Sequence, residues 1–79
     1  MGRFDAAIDT AHHAVLLDPS SADGYNNLAA GYAAVGMWDE AIDSALTALQ
    51  IRQDYPLARN NLAWALEQKR LGRADGASP

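Results

Sequence analysis

Asn26-Asn27-Leu28-Ala29 recurs as Asn60-Asn61-Leu62-Ala63, the same four residues displaced by 34. The same displacement carries Gly2, Asp5, Ala7, Ile8, Asp9, Ala11 and Ala14 onto Gly36, Asp39, Ala41, Ile42, Asp43, Ala45 and Ala48, again identical in type. The stretch from Ser21 to Asp54 therefore holds one full period, and the residues on either side copy one or other of its halves. A fixed period of this length marks a stacked repeat protein. Each unit of such an array carries an apolar face it cannot bury alone, so its neighbours bury it.

Working outward, the chain reads as four helices. From about Phe4 to Leu17 the apolar residues Phe4, Ala7, Ile8, Ala11, Ala14, Val15 and Leu17 recur at helical spacing. Asp18-Pro19 ends that run, because proline cannot continue the hydrogen-bond ladder and biases its predecessor away from helix. Ser20 or Ser21 caps a second helix, with Asp23 in its first turn. That helix carries Tyr25, Leu28, Ala29 and Tyr32 on one stripe and closes at Gly36. A third runs from about Trp38 to Ile51, with Trp38, Ala41, Ile42, Ala45, Ala48, Leu49 and Ile51 inward. Asp54 is the candidate cap of a fourth, from about Leu57 to Leu71, with Pro56 in its first turn and Gly72 as its stop. The stretch 73–79 has no periodicity and is expected to be a disordered tail.

Composition narrows the function classes. Seventy-nine residues make one small domain, 49% apolar with much of that share alanine, which favours close-packed helices over a bulky core. A net charge of −4 argues against the basic surface that nucleic acid or an anionic membrane requires. Lys69, Arg70 and Arg73 fall where the last helix ends and complement its dipole. No stretch has the length and apolarity of a membrane span, and the absence of cysteine excludes disulfides and thiolate metal sites. His12 and His13 point about 100 degrees apart on a helix and cannot share a metal, and Asp9 with His13 supplies only two ligands. Asp5, Asp9, Asp39, Glu40 and Asp43 repeat on equivalent helices, as solvent-facing positions do, rather than forming a catalytic pair. No catalytic residue, metal site or cofactor is expected.

Tyr25, Leu28, Ala29 and Tyr32, followed by Gly36, Trp38, Ala41, Ala45 and Ala48, resemble the tetratricopeptide repeat, a helix–turn–helix unit of this length. Ala7, Ala11, Ala14 and Pro19 match the second half of a preceding unit. The departures are Ala11 and Ala45 in place of larger residues, Gln53 in place of a terminal proline, and Tyr25 in place of tryptophan. The resemblance implies an all-α fold, a right-handed antiparallel helix-pair solenoid of four helices with an incomplete first repeat. A single array spans 2–71: the second helix of a truncated repeat over 2–19, a complete repeat over 21–54, and a polar capping helix over 56–71. Arg59, Glu67, Gln68, Lys69 and Arg70 make one face of the last helix polar, while Leu62, Ala63 and Leu66 are expected to keep its inward stripe. Gly2 aligns with the inter-helix turn, so Met1 is expected to open a truncated chain or a subunit whose open face docks elsewhere.

The resemblance also implies a role: non-catalytic binding of a protein or extended peptide segment on the concave face of helices two and four. The neighbouring asparagines cost helix propensity, so their recurrence asks for a reason. They bond between repeats, or they line a groove similar to that in the repeat domain of protein O-linked N-acetylglucosamine transferases. The expected groove residues are Asp23, Asn27, Ala30, Ala34, Leu57, Asn61, Trp64 and Gln68. The alternative is an assembly module or a fragment of a larger repeat-containing protein or enzyme, self-associating through Phe4, Ile8, Ala11 and Val15, a stripe expected to lack a covering helix. A cytoplasmic setting is favoured.

Overall fold

Each connection is set by local chemistry, and together the connections fold four helices into two layers. The structure, a computed structural model, describes residues 2–72, with side chains from residue 6 onward. The expected tail at 73–79 lies outside the described residues. Four helices follow in order, α1 (Gly2–Leu17), α2 (Ala22–Ala34), α3 (Trp38–Ile51) and α4 (Pro56–Arg70), with no strand among the described residues. Their Cα atoms span 41 × 29 × 14 Å. The short dimension is that of two helix layers, whose axes lie about 8–10 Å apart.

The Asp18 carboxylate accepts from the Ser20 N–H and hydroxyl, at 3.2 and 2.9 Å, and so turns the chain after α1. Ser21 rather than Ser20 caps α2, its Oγ accepting from the Gly24 N–H at 2.9 Å. Gly36 closes the next turn at φ +81° and Gly72 follows α4 at φ +71°, a region that side chains other than glycine rarely adopt. Asp54 is not the cap of α4. Pro56 takes the first helical position, which puts Tyr55 at the cap without a side-chain bond, while Asp54 faces Arg59 at 3.7 Å.

Helix α2 is central, touching α1, α3 and α4, and α4 also packs on α3. Contact with α1 is close enough to require glycine. A Cβ on Gly24 would lie 2.8 Å from Val15 Cγ1, and one on Gly31 would lie 2.8 Å from Ile8 Cγ1. The matching positions on α4 are Ala58 and Ala65, both fully buried. Core residues are correspondingly small, with Ala29, Ala41, Ala45 and Ala48 fully enclosed and no large side chain so deeply buried among the described residues. Ala48 joins Ala22, Tyr55 and Ala58 in one cluster, whereas Ala11, Val15 and Leu28 form another, with Tyr25 packed against both.

Three expectations are corrected. Ile8, Ala11 and Val15 do not form an uncovered stripe, because Ala11 and Val15 are buried in the cluster with Leu28 and Ile8 packs on Gly31. Phe4, the fourth residue of that stripe, lies outside the described side chains. On α4 the buried stripe is Ala58, Ala65 and Gln68 with Leu62 half-buried, while Ala63 and Leu66 face solvent. The reason is positional: α2 has neighbours on both sides, whereas α4 is covered only from the α2 and α3 side. Leu17 and Ile51, at the ends of their helices, are exposed for want of a partner at that depth.

Crowding the tight approach and overfilling the small core should both destabilise. Ala41→Leu is expected to cost about 1–3 kcal/mol by overpacking. Gly31→Ala should lower the thermal midpoint even though alanine has a helix propensity better by about 1 kcal/mol. Combining it with Ile8→Ala should recover part of that loss in a double-mutant cycle followed by circular dichroism. Independent, additive effects would show that the Ile8–Gly31 approach is not limiting.

Candidate functional site

Neighbouring residues on a helix point about 100 degrees apart, and the asparagine pair of α2 uses that angle to serve two surfaces. Asn26 is buried at 8% exposure, and its Oδ1 accepts from Asn61 Nδ2 at 2.7 Å, tying α2 to α4. Asn27 turns the other way, into an open groove of about 600 Å³ between α1 and α2. The α2 wall is Asn27, Ala30, Gly31 and Ala34; the α1 wall includes Ala6, Ala7, Thr10 and Ala14. One amide thus stands among small apolar side chains.

The eight expected groove residues fall into three groups. Asn27, Ala30 and Ala34 are brought together on the α2 wall. Leu57 and Trp64 stand 61% and 56% exposed on α4, apart from that groove. Asn61 has its amide engaged by Asn26, Gln68 is buried, and Asp23 closes a joint between α2 and the segment after α3. In that joint Asp23 accepts from the Tyr55 hydroxyl and pairs with Arg52 at 3.3 Å, while the Arg52 guanidinium lies 4.6 Å above the Tyr55 ring. The phenol bond, then the guanidinium charge, holds the Asp23 carboxyl below its usual range. Burial, then the bond to Asp23, raises the Tyr55 phenol.

The residues that sequence reasoning missed had a signal. Ala7 and Ala14 match Ala41 and Ala48, which are fully buried, yet Ala7 is exposed and Ala14 half-buried. Asking which helix covers each copy would have shown α1 to be open on that side. Tyr55 and Arg52 carried no comparable sign, since the matching positions hold Ser21 and Asp18.

A second hollow, of about 320 Å³, is lined by His12 and Tyr32 with Glu40 and Asp43 across from them. His12 Nε2 and the Tyr32 hydroxyl are 2.7 Å apart, their rings edge to face. No three His, Asp or Glu side chains gather for a metal among the described residues. At α4, Lys69 pairs with Asp39 and Arg70 with Glu67, so those cations are engaged in ion pairs. None of the described helices is long and apolar enough to cross a membrane. What the α1–α2 groove can do chemically is receive. Its walls of alanine and glycine allow a backbone to come close, and Asn27 can donate and accept at once.

Two expectations follow from these bonds. Asn61→Ala leaves the buried Asn26 carbonyl without its donor and should cost about 1–3 kcal/mol, whereas Asn27→Ala should stay within about 0.5 kcal/mol. Equal losses in urea denaturation would reverse the assignment of one asparagine to structure and the other to surface. The Asp23–Tyr55 joint gives a pH signature. A depressed carboxyl stabilises above its unfolded value of about 4 and loses that contribution as pH falls; a raised phenol stabilises below about 10 and loses it as pH rises through the folded value. Tyr55→Phe should lower the melting temperature between those limits and flatten both flanks. A profile parallel to wild type across the range would remove the joint from the stability of the fold.

Comparison with known proteins found no matching family model, no matching curated protein and no matching solved structure.

Proposed function

We propose that the chain is a non-catalytic protein-binding module of the tetratricopeptide type, an antiparallel helix-pair solenoid whose receptor surface is the groove between α1 and α2. The 34-residue period, the four helices and their two layers support the architecture. The observation that carries the binding role is the open groove of alanines and glycine around Asn27. An apolar trough whose walls lack bulky side chains suits a helix laid along it, because small residues let two backbones approach. An extended peptide along α2 and α4 would need a row of free amides, and Asn61 already gives its own to Asn26. A helical segment is therefore the favoured ligand. Trp64 and Leu57, both exposed on α4, are the anchors that the extended mode would use.

Peptides displayed on phage and selected against the folded chain test this reading. Selected binders should carry apolar residues at helical spacing, with dissociation constants of about 10–100 μM, or about 5.5–7 kcal/mol. Ala30→Arg, at an exposed position, should weaken them at least about tenfold without changing helicity, while Trp64→Ala should leave them unaffected. Binding lost through Trp64→Ala and kept through Ala30→Arg would move the site to the α2–α4 face.

A further inference from the structure

The molecule contains its own example of an occupied groove. Helix α2 lies across α3 and α4, touching both. Moving the groove lining forward by 34 residues gives Ala41, Ser44, Ala45 and Ala48 on α3 with Ala65 and Gln68 on α4, all buried, and Asn61 half-buried, while Glu40 and Trp64 stay exposed at the rim. The open groove on α1 and α2 is thus the uncovered copy of a surface that α2 covers. The stripe α2 turns toward that surface is Ala22, Asn26 and Ala29, all buried, with Ala33 half-buried. The same displacement carries this stripe onto Pro56, Asn60, Ala63 and Glu67 of α4, every one of them exposed. One end of the chain presents the face that α2 uses, and the other end presents the groove that α2 fills.

We infer that α4 of one copy seats in the α1–α2 groove of a second copy, so that the chain stacks head to tail. The inference rests on that groove being a receptor and names its occupant. Asn27 Nδ2 donates to Asn60 Oδ1 of the adjoining copy, repeating the 2.7 Å bond from Asn61 to Asn26 one period away. Charge agrees with the geometry. Arg59 stands where Tyr25 does, and Tyr25 packs against the cluster that holds Ala48, near the end of α3. In the stack Arg59 therefore falls beside the end of the next α1, whose last turn holds no basic residue and is followed by exposed Asp18. Glu67 takes the place of Ala33 and must lose some water on seating, which keeps the association weak. Groove and α4 face are different surfaces, so the contact is heterologous and does not close into a two-fold dimer.

Sedimentation velocity on the full chain, from about 5 to about 500 μM, should show a weight-average coefficient that climbs past the dimer value without a plateau, and less steeply at high salt. Ala7→Glu blocks the groove, at the copy of the fully covered Ala41, and Ala63→Glu blocks the α4 face; both positions are exposed, so helicity should be retained. Each variant alone should be monomeric. Mixed together they should form a one-to-one dimer and nothing larger, since each supplies the face that the other lacks. A wild-type monomer at the highest concentration, a plateau at dimer, or a mixture that stays monomeric would overturn the inference. A monomer that still binds phage-selected helical peptides would overturn this inference alone and leave the binding role standing; loss of both would remove the groove as a receptor.

Discussion

Two helices can come close where one of the facing positions carries no side chain or only a methyl group, and the contacts of α2 depend on that condition. Gly24 and Gly31 let Val15 and Ile8 reach the α2 backbone; Ala58 and Ala65, one period later, are buried on α4. Dispersion between closely packed small groups replaces the area that larger side chains would bury. The result is a core in two clusters, one mostly alanine and one of Ala11, Val15 and Leu28, with Tyr25 packed against both. Such a core has little slack, because an added methyl at Gly24 or Gly31 meets the branched side chain of Val15 or Ile8 at 2.8 Å, and one of the two must shift.

Polar bonds then select among the arrangements that small residues allow. Alanine faces alone would slide, since one methyl resembles the next. The Asn61–Asn26 bond and the Asp23, Tyr55 and Arg52 joint give α2 and α4 one register, and the buried members Asn26 and Tyr55 are expensive to leave unbonded. At the matching place on the other side, His12 and Tyr32 join α1 to α2, where α3 and α4 carry Leu46 and Leu66 instead. The copy of this bond on α3 and α4 is therefore absent, and Leu46 and Leu66 stand exposed. The repeat copies shape more faithfully than it copies bonds.

The same economy links fold to proposed role. A repeated unit exposes at its edge whatever its interior buries, so the surface at α1 is read directly from the surface beneath α2. Ala7 and Ala14 keep the residue type of their buried counterparts Ala41 and Ala48, although solvent would permit polar replacements, and Asn27 keeps that of the half-buried Asn61. On α4 the substitutions run the other way, with Arg59 and Glu67 at the places of Tyr25 and Ala33. An apolar groove at one edge and a more charged helix at the other make two unlike ends, which is the condition for a directional contact.

Much was legible in the sequence by itself. The 34-residue displacement, the proline and glycine stops and the apolar spacing determined four helices, their approximate limits and the all-α class, because helix formation and termination are local in the chain. Two things required the tertiary structure. One was the direction each residue of the Asn-Asn pair takes, since a rotation of about 100 degrees decides burial only once the neighbours are in place. The other was which side of each end helix lies open: periodicity marked Ile8, Ala11 and Val15 as a face, but only the seating of α2 on that face left Ala7, Ala14 and Asn27 uncovered. Burial belongs to pairs of elements far apart in sequence, and a pattern along one helix cannot say which partner arrives.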